Sequence, residues 1–244
     1  MNVLNIPNIN LLDIDYMITN DILNALNDII NKYPILNNCI NALGSFKYVL
    51  NEKDNTAKKL YKKDVKTSNK QIHKLEDESL FFTTILYRAY DQKYFSSKED
   101  IMEAFMPIYI AIGVNIKENY KTLKRQFYLD KRTNFSYSEN IKDAINHEIG
   151  HILFRLLCLD YDEKFMNVVL ELMNKNYENY PRYALKTPEE FVADCFAMYQ
   201  KNHHYNFAVS YIGSYIDSIY SKYESKVYFD TTSIYKEKVL KIVR

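Results

Sequence analysis

The sequence predicts an α+β fold, mainly helical, with one small twisted sheet. Three observations carry that expectation. Gly and Pro are scarce, at 4 and 5 residues in 244, which disfavours a turn-rich all-β architecture. Several long segments repeat apolar residues at helical spacing. Only a few short stretches read as strands. Hydrophobic residues make up 47% and charged residues 26%, enough apolar material for a real core. No composition shift marks a linker, so a single domain is expected over residues 1–244, its first 80 residues the least sharply defined part.

Residues 13–32 place Ile18, Ile22, Ala25, Leu26, Ile29 and Ile30 on one helical face, and Pro34 ends that helix. Ser45–Leu50, after Gly44, alternates like a short strand. Residues 51–78 are polar and read as a long loop or an exposed helix. Leu80–Tyr87 is apolar throughout, and periodicity leaves strand and buried helix both open. A helix start is expected at 98–104. Ile108–Ile116 reads as a buried strand, with Gly113 at a bulge or a close approach. Residues 117–135 read as a loop with a helical turn. Ser136-Tyr137-Ser138-Glu139 has the pattern of a capping box and opens a helix to about Leu157. Further helices are expected at 161–175, at 188–202 (Thr187 as N-cap, Pro188 in the first turn) and at 205–222. A short strand and a closing helix are expected after Lys226.

The formal net charge is +1, so no global field argues for nucleic acid or an anionic membrane. The lysines between Lys58 and Lys74 read as a solvated surface. Three cysteines without paired spacing do not suggest a disulfide framework. The first residues lack a basic segment followed by an apolar run, and no stretch has the length of a membrane span. A cytoplasmic protein is the simplest expectation, with unconventional export leaving no readable trace. Oligomeric state is not readable.

One segment carries chemistry: His147-Glu148-Ile149-Gly150-His151. Residues four apart on a helix project side by side, so His147 and His151 can share one metal ion. Glu148 lies on the adjoining edge, where it can act as general base without ligating. This is the HExxH arrangement, which points to one Zn²⁺ per chain. The alternative is a pair of core histidines satisfied by neighbours. A catalytic site needs a third ligand, and the extended HExxHxxGxxH pattern is absent, with Phe154 and Leu157 departing from it. Glu190, in the first turn of the 188–202 helix, is the best candidate; its alternative is the return partner of Thr187 in a capping box. Asp194, one turn on, can accept a hydrogen bond from a ligand histidine, with His147 expected. Glu189, about 100° around the helix, is expected to face solvent. His203 and His204 read as surface residues.

HEIGH followed by Thr187-Pro188-Glu189-Glu190-Phe191-Val192-Ala193-Asp194-Cys195-Phe196-Ala197 resembles the zincin metallopeptidases of the anthrax lethal factor and Pro-Pro endopeptidase type, with their small phage and bacterial relatives. The resemblance covers roughly residues 100–200. It implies that Glu190 is the third zinc ligand and that Tyr183, seven residues before it, belongs to the active site. Tyr177 and Tyr180 lie close by, and the alignment is what selects Tyr183. Asp194 stands where relatives often carry Glu. The resemblance implies a catalytic core over about 100–222 and an edge strand lining the cleft, matched here by Ile112–Ile116. An extended peptide or protein substrate would lie along the 108–116 strand. The expected activity is zinc-dependent endopeptidase hydrolysis, with Glu148 as base and Tyr183 at the oxyanion. The alternatives are a catalytically silent binding protein on a zincin fold and a toxin or effector peptidase specific for one host protein.

Overall fold

The computed structural model describes residues 4–62, 66–87, 107–175, 178, 180–202 and 206–227. The fold is α+β, with helices around a mixed four-stranded sheet. In chain order the elements are β1 (Asn8–Asn10), α1 (Tyr16–Lys32), the short α2 (Leu36–Cys39), β2 (Ala42–Ser45), α3 (Phe46–Tyr61), α4 (Asn69–Glu78), β3 (Phe81–Tyr87) and β4 (Pro107–Val114). They continue as α5 (Tyr120–Arg132), α6 (Ile141–Leu156), α7 (Glu163–Lys175), α8 (Pro188–Gln200) and α9 (Phe207–Val227). Among the described residues, no helix is long and apolar enough to cross a membrane.

Several expectations are corrected here. The alternation at 45–50 does not make a strand. Strand β2 ends at Ser45, whose hydroxyl accepts from the Tyr48 amide and starts α3; Phe46, Val49, Leu50 and Ala57 then form its buried face. Of the two readings left open for 51–78, loop or exposed helix, the helix holds over most of the segment, in α3 and α4. Residues 120–132 form a helix, capped by Asn119 and Thr122, with Leu123 and Phe127 one turn apart on its buried side. Helix α6 starts later than the Ser136–Glu139 pattern suggests. Asn140 is the N-cap, its side chain accepting from the Asp143 amide, while the Asp143 carboxylate accepts from the Glu139 amide. The expected helix start at 98–104, the tail after Lys226 beyond residue 227, and Tyr177, His203 and His204 lie outside the described residues.

The sheet order is β1-β2-β4-β3, with β1, β2 and β4 parallel and β3 antiparallel to β4. The strand expected at 108–116 is β4, which ends at Val114; it is paired on both sides and so is internal and not the edge, and with α3 and α6 packed on it, it is buried nearly throughout. Among the described residues the edge on that side is β3. Gly113 is a close-approach position: a Cβ there would lie 2.1 Å from the Phe82 ring. The bulge falls instead between Leu86 and Tyr87.

Helix α6 lies at the centre, and 13 of its 16 residues are buried. It packs on α1, α8 and β3. Ile145, Ile149 and Ile152 join Ile18, Ile22 and Leu26 of α1 and Phe191 and Phe196 of α8 in one apolar cluster, each such side chain contributing about 1.5–3 kcal/mol by burial. The first 80 residues are thus part of the core that supports α6. Helices α6 and α8 approach most closely at Gly150, where an added Cβ would stand 2.7 Å from the Ala193 Cα. The obstacle is backbone, which cannot rotate aside.

Gly150→Val is expected to lower stability by roughly 2–3 kcal/mol through overpacking, read as a shift in the urea unfolding midpoint. An unchanged midpoint would mean that the two helices part easily.

Candidate metal centre

Helices α6 and α8 bring three donor atoms together. His147 Nε2 lies 3.1 Å from His151 Nε2, and Glu190 Oε2 lies 3.1 Å from His147 Nε2 and 3.3 Å from His151 Nε2. These separations follow from the four-residue spacing on α6 and from the position of Glu190 in the first turn of α8. The Glu190 amide is capped by the Thr187 hydroxyl at 3.1 Å. Its carboxylate does not turn back to complete a capping box; Oε1 accepts from the Tyr183 hydroxyl and Oε2 faces the histidines.

The far side of each imidazole is held by a carboxylate. His147 Nδ1 donates to Asp194 Oδ1 at 2.7 Å, and Asp194 is 1% exposed. His151 Nδ1 lies 3.4 Å from Glu189 Oε1. With Nδ1–H turned to a carboxylate, each ring presents the Nε2 lone pair to the centre. Two nitrogen lone pairs and a carboxylate oxygen thus converge with no donor between them. Glu190 Oε2 is buried and finds no properly aligned hydrogen-bond partner. Acceptors this close repel unless a cation lies among them. His147, His151 and Glu190 could hold a metal ion. A tetrahedral ion with bonds of about 2.0–2.1 Å needs donors about 3.3 Å apart, which the observed triangle meets. Two imidazoles with one carboxylate suit a transition metal better than the all-oxygen preference of Ca²⁺ or Mg²⁺.

Without a metal, protons must take that place. For His147, burial pushes the pKa down, but Asp194, Glu190 and Glu148 outweigh it and hold it well above the usual value. Burial also works against charge on His151, and its Glu189 and Glu190 contacts raise it to about 9. For Glu190, burial pushes upward, and the two histidines overcome it and hold the carboxyl far below the usual range.

Glu189 is not the solvent-facing residue expected of it. Arg155, one turn beyond His151 on α6, grips it through Nε at 3.1 Å and through a second, close guanidinium contact, and also pairs with Asp160 at 2.6 Å. Burial raises the Glu189 pKa, but the His151 and Arg155 contacts bring it below the ordinary value. Glu189 thus reaches His151 from α8, with Arg155 bridging it back to α6.

Glu148 is buried, and Oε2 accepts from the Thr83 hydroxyl of β3 at 2.7 Å. Tyr183 stands across the site, its ring centroid 5.9 Å from that of His147 and its hydroxyl 3.3 Å from Glu190 Oε1. Its main chain is fixed by donation from its amide to the Phe135 carbonyl at 2.9 Å. Burial, then the Glu190 and Glu148 charges, raise its pKa, so the phenol keeps its proton. Tyr180 points elsewhere, donating to Asn206 and packing on Phe191. A cleft passes over these groups. One arm is lined by Ser79, Phe81, Phe135, Glu148 and Tyr183, the other by Thr83, Ile85, His151, Tyr183 and Glu190. Thr83 and Arg155 are the site residues that sequence reasoning missed; Arg155 carried a usable signal in its spacing from His151, Thr83 none.

No protein-family model, curated protein or solved structure matches the chain.

Metal affinity, measured by competition with a chelator, is expected to fall most for Glu190→Ala. Asp194→Ala and Glu189→Ala should each lose roughly 10–100-fold, because each orients one ligand imidazole. An unaffected Glu189→Ala variant would reduce the Arg155 pair to surface packing. Affinity should also rise with pH up to about 9, since the protons held by His151 compete for the same nitrogen. A pH-independent affinity between 6 and 9 would show that the imidazoles are not ligands.

Proposed function

We propose that this chain is a zinc-dependent endopeptidase of the zincin type. The observation that carries the reading is the convergence of His147 Nε2, His151 Nε2 and Glu190 Oε2 beside a carboxylate, Glu148, that opens on a cleft. The nitrogen-rich, tetrahedrally spaced donor set favours zinc. Bound there, zinc would supply Lewis acidity, polarising a carbonyl and making water nucleophilic near neutral pH.

The protein residues supply the rest. Glu148 accepts a proton from the attacking water, whose oxygen bonds to the scissile carbonyl carbon. Glu148 then passes that proton to the departing nitrogen as the C–N bond breaks, leaving a carboxylate and an amine. Tyr183, kept protonated by burial and by two nearby carboxylates, donates to the oxyanion that develops on the carbonyl oxygen. In doing so its hydroxyl exchanges Glu190 for substrate. An extended peptide or protein would add to β3, the edge strand among the described residues, its side chains alternating between the cleft and solvent. That role passes from the 108–116 strand to β3, because β4 is paired on both sides.

Digestion of a proteome-derived peptide mixture by the zinc-loaded protein, read by mass spectrometry, tests the proposal. Cleavage is expected for the parent protein and not for Glu148→Gln; equal cleavage by both would exclude this mechanism. Glu148→Gln is expected to retain the metal and lower turnover about 100- to 10,000-fold. For Tyr183→Phe the expected loss is about 100-fold in kcat at unchanged metal content. A Tyr183→Phe enzyme with the parent rate would leave the phenol as packing against His147.

A further inference from the structure

Thr83 joins the sheet to the site. It lies in the middle of β3, in register with Ile112 of β4, and its side chain points to the face of the strand that packs on α6. Its hydroxyl stands 2.7 Å from Glu148 Oε2 and 3.3 Å from the Glu148 main-chain carbonyl. A hydroxyl has one proton to give. The shorter and charged contact takes it.

Among the described residues, no other side chain donates to the Glu148 carboxylate. Oε2 is thereby committed, while Oε1 has no donor among the described residues, in a side chain that lines both arms of the cleft. A glutamate has three side-chain torsions, and one hydrogen bond at the carboxylate removes most of that freedom. The strand that fixes Thr83 is the same strand that forms the edge of the sheet among the described residues.

We propose that Thr83 is a positioning residue that holds Glu148 by one oxygen and so aims the other into the cleft. In turnover, which rests on the peptidase reading above, it places the base where the attacking water loses its proton. The same strand would then align the substrate on its edge and the base on its inner face, so that the two share one rigid frame. A Thr serving only to stitch β3 to α6 would act through the main-chain carbonyl and leave the carboxylate indifferent to its loss.

The experiment compares the zinc-loaded parent with Thr83→Val, which keeps the branched shape and removes the donor, and with Thr83→Ser, which restores it. Thr83→Ala replaces the valine variant if that does not fold. Crystal structures come first. The parent is expected to show Glu148 in one rotamer; Thr83→Val should show it displaced or split between rotamers, with His147, His151 and Glu190 unmoved. An unmoved Glu148 in Thr83→Val overturns the proposal whatever the activity. Kinetics follow on the best-cleaved peptide from the mixture above. Thr83→Val should lose about 10-fold in kcat with KM and zinc affinity within about 2-fold, and Thr83→Ser should regain most of it. A valine variant with the parent kcat overturns the role. If the parent cleaves nothing, the peptidase reading fails, and the two rotamer distributions still decide whether Thr83 holds Glu148.

Discussion

Helices α6 and α8 meet where Gly150 faces Ala193, with room for a hydrogen and not for a methyl group. That approach fixes the distance between the histidine pair on one helix and the carboxylates on the other. Glu190 meets both Nε2 atoms, Asp194 stands behind His147 and Glu189 behind His151. All three acidic residues lie on α8, and each contact spans the same narrow gap. A wider gap would cost Glu190 its place first, since its Oε2 already lacks an aligned partner. The apolar cluster around Ile149, Phe191 and Phe196 holds the gap closed.

That arrangement is electrostatically expensive when no cation is present. Three acceptors face one another in a buried site, and the surrounding protein adds Glu148 and the two supporting carboxylates. Proton uptake by the histidines relieves the conflict, which is why both imidazoles bind protons more tightly than usual despite burial. Arg155 offsets part of the acidic charge from the far side by pairing with Glu189 and Asp160. A concentration of unpaired acceptors of this kind reduces stability where it occurs and is tolerated where a site needs it.

Much of this was legible in the sequence wherever local spacing decides. The four-residue interval puts His147 beside His151, and the Thr187-Pro188 start sets the register of α8, so Glu190 and Asp194 share a face. At two places local signals compete, and the pattern in the sequence does not match the structure. Ser45 begins a segment that alternates like a strand, yet its hydroxyl caps a helix. The Ser136–Glu139 pattern resembles a cap, yet Asn140 supplies it. Other features are non-local. Whether 108–116 is an edge or an interior strand depends on where 42–45 and 81–87 pair, and the contact of Thr83 with Glu148 spans strand and helix. Neither leaves a trace in residue spacing. Glu189 stands behind His151 and not in solvent, because Arg155 on the next turn of α6 holds its carboxylate there, a contact between helices that the angle of Glu189 around α8 does not reveal.

Because α6 is embedded among α1, α8 and β3, its position does not depend on what lies between its histidines. Small zinc modules gather their ligands only when the ion arrives, and collapse when it leaves. Here a helix with Ile145, Ile149 and Ile152 fully buried is anchored by apolar packing on its other faces. An ion entering this site would find the donors already assembled and lose little of its binding energy to ordering the chain. Removing it with a chelator should return a folded apoprotein able to be reloaded, so that metal exchange becomes a matter of chemistry at the site and not of refolding.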